Sequence, residues 1–197
     1  AAFRYALVRL RDAAEAGPPR ALRDPPEALS KVVATGRFLN DREAMVGLEV
    51  RDAVLGAFLV TPLERADGPP VLVNRGWVPL ERKAPVSHPE GVVSVTGWVR
   101  PADGHNVFAA SDDPAGRRFY TFDPAVIGPA LGLAQVAPYA LVALAAGPEA
   151  SALPRPARAM PRPDNPHLGY AITWYGTALA LVGVFAVFAW RRLKDPA

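Results

Sequence analysis

Short β-type runs separated by turn residues recur along most of this chain, at 32–39, 45–50, 55–63, 71–78, 92–99, 118–122 and 136–144. Asn40-Asp41, Arg51-Asp52 and the loop Arg65-Ala66-Asp67-Gly68-Pro69-Pro70 punctuate them. A period of two sends successive side chains to opposite faces of a strand, so the spacing predicts an antiparallel sheet or small barrel. Two segments depart from that rhythm. Residues 3–16 carry Phe3, Leu7 and Leu10 at helical spacing until Gly17-Pro18-Pro19 stops the pattern. Residues 124–133 read as one helix inside the domain, with Asp123 as its N-cap and Pro124 at the first helical position. The fold class expected is mainly β with α (α+β). One internal echo is present, Val32-Val33-Ala34-Thr35-Gly36 against Val93-Ser94-Val95-Thr96-Gly97, of the kind that strand propensity alone produces.

The pattern changes once more near the C-terminus. From Gly169 to Trp190 run 22 residues without a charge, and Arg191-Arg192 end the run. A bilayer core needs about 20 apolar residues in a helix rising roughly 1.5 Å each, so the segment is read as a membrane anchor. Tyr170, Trp174 and Tyr175 gather at one end and Trp190 stands at the other, as interfacial aromatic belts do. The organisation expected is an amphipathic helix over 1–16, a β-rich domain over 17–145, a proline-rich tether over 146–166, a transmembrane helix over 167–192 and a tail over 193–197.

Composition narrows the functional classes. A net charge of +3, from 22 basic and 19 acidic residues, is mild and dispersed, so no nucleic-acid partner is expected. The 197-residue chain has no cysteine, which removes disulfides, thiolate metal sites and cysteine nucleophiles. Its 22 prolines and 16 glycines suit strands and turns. Arg155, Arg158 and Arg162 precede the apolar run and Arg191, Arg192 and Lys194 follow it, a near balance. The trailing cluster abuts the membrane and slightly favours a cytoplasmic C-terminus.

No phosphate loop, nucleophile elbow or His-Glu-x-x-His motif occurs, so an enzyme is not expected. His88 and His105 lie in turns and are expected to be solvated. His167 stands two residues before the apolar run, with Pro166 in the first helical turn and Asn165 capping it. At 100° per residue Trp174 returns to the face of His167 two turns deeper, and Tyr170 lies near it. Two readings stay open there: an imidazole that binds the iron of an amphipathic macrocycle against an aromatic wall, or an interfacial His that bonds headgroups. A second constellation is Asn74-Arg75-Gly76-Trp77 inside an alternating strand. Gly76 marks a bulge or a close backbone approach, and Arg75 is either a structural Arg beside it or the partner of a carboxylate or propionate.

At these residues the chain resembles the surfeit locus protein 1 family. Asn74-Arg75-Gly76-Trp77-Val78-Pro79 with the upstream Gly56-Ala57-Phe58-Leu59-Val60-Thr61-Pro62 looks like that family's central signature, and His167-Leu168-Gly169-Tyr170-Ala171-Ile172-Thr173-Trp174-Tyr175 looks like its final membrane helix. The segments Thr35-Gly36-Arg37-Phe38-Leu39 and 119–123 fit as well, and the resemblance covers about residues 30–190. It implies a membrane-anchored, non-enzymatic assembly factor for haem–copper cytochrome c oxidase with one extracytoplasmic domain. It also implies haem a held by His167, as iron ligand, with Trp174 and Tyr170 as the wall, for delivery to the catalytic subunit. Asn74, Arg75, Gly76 and Trp77 are then expected to serve interaction. The oxidase catalytic subunit, haem a synthase and the lipid bilayer are the partners expected, in the inner membrane with a cytoplasmic C-terminus. Family members carry two membrane helices, and residues 1–16 match only the stretch following the first. The alternative is a scaffold or accessory subunit that clamps the oxidase without binding haem.

Overall fold

The computed structural model describes residues 16–81, 84–103, 110–145, 152–160 and 167–194. Its strands are β1 (Arg20–Ala21), β2 (Lys31–Phe38), β3 (Ala44–Arg51), β4 (Val54–Glu64), β5 (Val71–Pro79), β6 (Val92–Pro101), β7 (Arg118–Phe119) and β8 (Tyr139–Ala143). Beyond the helical Ala16, the described residues include the helices α1 (Pro124–Ala130) and α2 (His167–Lys194). The chain divides into two units, Ala1–Met160 and Pro161–Ala197.

In the first unit β2, β6, β8, β5 and β4 follow one another around a ring that closes where β4 returns to β2. Strand directions cannot alternate all the way round a ring of five, so at least one neighbouring pair must be parallel. β5 and β8 are that pair, with Leu72 opposite Ala140 and Asn74 opposite Val142. The other four contacts are antiparallel. Closure rests on Arg37 opposite Glu64 and Phe38 opposite Leu63, while β1 covers the first half of the same β2 edge. β3 extends the sheet beyond β4, and β7 lies parallel to β3.

The internal echo has a structural counterpart. Its two halves are the paired segments of β2 and β6, from Val32 opposite Gly97 to Gly36 opposite Val93. Each terminal glycine lies where a further strand crosses closely: a Cβ on Gly36 would strike the Glu64 carbonyl of β4, and one on Gly97 would meet the Val142 carbonyl of β8 at 2.5 Å.

β5 explains its own composition. Val71 and Val73 enter the core formed with Val32, Ala34, Leu63 and Leu141, while Leu72 faces Phe122, Ile127 and Leu131 on the other side. A strand covered on both faces must be apolar throughout, and eight of its nine residues are buried. α1 supplies the outer cover. The Asp123 carboxylate accepts from Ala125 N at 2.9 Å, Pro124 occupies the start, and Gly132 at φ 73° follows the end. The helix is therefore shorter than the 124–133 expected. At another place on the wall the buried Arg65 donates to Asp24 Oδ2 at 2.7 Å and to Pro69 O at 3.1 Å, and the Tyr139 hydroxyl donates to Asp24 Oδ1.

Two expectations need amendment. The strands expected at 118–122 and 136–144 are trimmed to β7 and β8, because the Phe122 amide turns to Asp103 Oδ2 at 2.9 Å and the Ala137 amide turns to Pro70 O at 2.9 Å. The tether expected over 146–166 is, over 152–160, docked on the barrel. Leu153 and Met160 are buried, Arg155 pairs with Trp77, and Ala157 pairs with Leu144. The helix expected at 1–16, apart from Ala16, His105 and the Asn165-Pro166 cap lie outside the described residues.

In the second unit α2 spans 28 residues. At 1.5 Å per residue that is about 42 Å, longer than the ~30 Å hydrocarbon core. Within Leu168–Lys194 an 18-residue window has a mean hydropathy of 1.8 and none of that window is buried, which makes the helix a candidate membrane span. Thr173 Oγ1 donates to Gly169 O at 2.9 Å and Thr177 Oγ1 to Thr173 O at 2.8 Å, so these hydroxyls are satisfied without water. Lys194 lies 4.1 Å from the Trp190 ring, in a last turn whose cations complement the helix dipole.

Candidate functional site

The central signature sits on a bulge. Leu59 is opposite Gly76 and Val60 is opposite Asn74, which leaves Arg75 as the extra residue of β5. Asn74 stabilises the kink, its Oδ1 accepting from Gly76 N at 3.0 Å. Gly76 has φ 132°, and a Cβ there would collide with the Arg155 carbonyl. Glycine is thus required both for the backbone conformation and for the approach of the 152–160 segment. Across that slot Trp77 N donates to Arg155 O at 2.8 Å and Arg155 N to Trp77 O at 2.9 Å.

The bulge turns Arg75 into a polar pocket within the wall. The side chain is 7% exposed, and Nη1 donates to Glu43 Oε1 at 3.1 Å while Nη2 donates to Ser87 O. Glu43 Oε1 also accepts from Thr61 Oγ1 at 3.0 Å, and its Oε2 meets His88 Nε2 at 3.0 Å. The guanidinium carbon lies 4.9 Å from the centroid of the Phe38 ring. Burial lowers the Arg75 pKa, and the Glu43 carboxylate opposes that shift, so the guanidinium remains charged. The arrangement is a desolvated ion pair whose remaining donors are used, the condition under which such a pair is tolerated.

Trp77 is 3% exposed. Its Nε1 donates to Glu49 O at 3.1 Å, and Arg51 and Arg155 each lie 5.6 Å from its ring. A Cβ on Gly56 would overlap the indole, which explains the glycine opening the upstream part of the signature. The quartet Asn74, Arg75, Gly76 and Trp77 therefore shapes the wall from within. Sequence reasoning found these four residues but missed Glu43, Thr61, Ser87 and His88. Glu43 follows Arg42 in an ordinary turn, and no local pattern announces it. His88, expected to be solvated, is half-exposed and held by Glu43.

α2 begins at residue 167, and Tyr170 and Trp174 follow within its first two turns. Tyr170 is 61% and Trp174 72% exposed among the described residues. Among the described residues no group of three or more His, Asp or Glu side chains could hold a metal ion.

A five-strand barrel carrying a buried Arg bulge, together with an apolar helix that begins on His and exposed aromatics, defines a barrel protein with a candidate membrane span. The family model described as SURF1 family matches residues 4–179, and the chain belongs to that family. A SURF1-like protein of Monosiga brevicollis is 29% identical over 178 residues, covering 82% of this chain and 66% of the relative. One from Drosophila melanogaster is 30% identical over 178 residues, 80% of this chain and 56% of the relative. The cytochrome oxidase assembly protein SHY1 of Saccharomyces cerevisiae is 45% identical over 58 residues, 29% of this chain and 15% of the relative. The chain thus spans less than two thirds of the length of these relatives.

Proposed function

We propose that this protein is a membrane-anchored assembly factor for cytochrome c oxidase that holds haem a for the catalytic subunit, without catalysing a reaction of its own. Membership of the SURF1 family and similarity to a relative named as an oxidase assembly protein support the assembly role. The observation that carries the haem reading is the exposure of Tyr170 and Trp174 at the start of an apolar helix that begins on His167. Haem, when bound, would supply an iron open to a nitrogen ligand. His167 would hold that iron, and Tyr170 and Trp174 would lie against the macrocycle. Held by a single residue of this chain, the haem would remain transferable.

In this reading α2 spans the inner membrane, the barrel is extracytoplasmic, and residues 195–197 are cytoplasmic. Arg191, Arg192 and Lys194 support that orientation. Asn74, Arg75, Gly76 and Trp77 act indirectly, by setting the shape of the surface that meets the oxidase. Haem a synthase is the natural second partner, as the source of the cargo. The test is an absorbance spectrum of the full chain purified after co-expression with haem a synthesis. A haem a spectrum retained through purification is the expected result. A colourless protein that still associates with the oxidase overturns the haem step and leaves a clamp-like scaffold. A reporter fused after Ala197 that is active only outside the cytoplasm overturns the orientation.

A further inference from the structure

The two edges of β3 are unlike. One pairs with β4 along the strand, apart from a register shift between Val46 and Glu49. Among the described residues the other edge has a neighbour only at Met45 and Val46, where β7 lies beside it. The two-residue reversal Asp52-Ala53, at φ 50° and 62°, decides what the rest of that edge presents. A turn of this kind is closed by a pair that exchanges both ladder bonds, here Arg51 and Val54. Alternation along the strand then sends the Val50 amide and carbonyl away from β4, toward the open edge. An edge in that state is a template for a further strand.

The side chains on the edge sort by face. Val50 (63% exposed) is directly opposite Leu55 (45% exposed), and the Leu80 amide donates to Leu55 O at 3.0 Å. An apolar face therefore runs inward from the edge across three strands. Glu49 and Arg51 lie on the other face, where Arg51 Nε donates to Glu49 Oε1 at 2.7 Å. The Arg51 guanidinium is also 5.6 Å from the Phe58 and the Trp77 rings, which holds it in place.

The order Glu49-Val50-Arg51 is complementary to itself. A second copy, laid antiparallel about a two-fold axis at Val50, sets Val50 against Val50 and each Glu49 against the other copy's Arg51. Moving the axis by one residue brings Glu49 to Glu49 or Arg51 to Arg51, like charges that oppose pairing. Charge thus selects both the occupant and the register.

We propose that this protein pairs with a second copy of itself through the open edge of β3, antiparallel and centred on Val50. The two sheets become one, with the Val50 amides and carbonyls bonded to each other at its centre. Apolar side chains meet on one face of the seam and four alternating charges on the other. The pairing depends neither on the haem reading nor on α2 as a membrane span.

The absence of cysteine makes the test direct. Val50→Cys in the full chain is oxidised mildly, and the disulfide-linked dimer is measured. In the proposed register the two substituted residues are directly opposite, within the roughly 7 Å between Cα atoms that a disulfide spans. Val54→Cys is the comparison, because the two β4 strands would lie three strand spacings apart, about 14 Å. A linked dimer is expected at 50 and not at 54. Glu49→Arg or Arg51→Glu, each added to Val50→Cys, is expected to reduce the linked dimer several-fold. Mixing these two variants, differently tagged, is expected to restore it as a heterodimer, since the two altered strands complement each other. Equal linkage at 50 and 54 overturns the proposal and leaves the edge to a strand of another protein. Linkage at 50 that ignores the single charge changes, or that mixing fails to restore, overturns the register and the proposal with it.

Discussion

Arg75 and Glu43 meet at 3.1 Å inside the barrel wall, and Glu43 takes His88 on its other oxygen at 3.0 Å. One carboxylate therefore ties the β5 bulge to Thr61 of β4 and to the 87–88 turn. Because Arg75 is 7% exposed, neither charge of the pair can be removed without stranding the other in a poorly solvated place.

Arg75→Ala is accordingly expected to destabilise the barrel by about 3–5 kcal/mol in chemical denaturation followed by tryptophan fluorescence. Combining Arg75→Met with Glu43→Gln is expected to recover a large part of that loss, since both charges leave together. Equal destabilisation by the single and double variants would show that the bulge, not the ion pair, carries the effect.

Gly76→Ala meets two obstacles, φ 132° and the Arg155 carbonyl. The strain alone is of order 1–3 kcal/mol. The collision adds to it by prising the 152–160 segment from the wall, so hydrogen exchange should rise at the Trp77 and Arg155 amides. Gly91 is the internal comparison, with φ 78° and no atom within 4 Å of an added Cβ. Gly91→Ala is expected to cost less and to leave those two amides protected.

The Asp24–Tyr139–Arg65 cluster predicts opposite behaviour at the two ends of the pH scale. Burial raises the Asp24 pKa, but the bonds from Tyr139 and Arg65 outweigh it and hold the carboxyl below its ordinary 3.8. Its contribution to stability is therefore full above pH 3.8 and lost as the pH falls through the lower folded value. Burial, reinforced by the bond to Asp24, raises the Tyr139 pKa above its ordinary 10.0. That contribution is intact below pH 10.0 and lost as the pH climbs toward the higher folded value. Asp24→Asn should flatten the acid limb of a stability–pH profile, and Tyr139→Phe the alkaline limb.

For the proposed haem site, His167→Ala is expected to abolish haem a retention, because the axial bond is lost while α2 keeps its apolar length. Trp174→Phe should reduce retention only several-fold, since a smaller ring still packs on the macrocycle. Absorbance per mole of purified protein measures both. Equal retention by His167→Ala and the parent chain would assign the imidazole to lipid headgroups.

The strands were legible because their β-type runs are short and bounded by turn residues such as Asn40-Asp41 or Gly68-Pro69-Pro70, which cannot continue them. α2 was legible from its uncharged run. Ring closure was not, since β5 finds β8 only after β6, β7 and α1 have intervened, and nothing in either strand names the other. The docking of 152–160 was hidden by its prolines, which suit an extended tether equally well. What retains it is a missing side chain at Gly76, far away in sequence. In the polar cluster Arg75 stood out beside Gly76 and Trp77, whereas Glu43 is one acid among 19.

The parallel β5–β8 pair has a consequence for how the protein is made. Among the described strands β8 is the last to be synthesised, yet it fills the gap between β5 and β6. Until Tyr139–Ala143 emerges, the nascent sheet has two unpaired edges, one of them the nearly all-apolar β5. Folding must wait for most of the chain, and pairing across such distances is slow and exposed to aggregation. A premature stop anywhere before Tyr139 would leave an open, adhesive sheet instead of a smaller barrel, and chaperones or proteases would meet it as such.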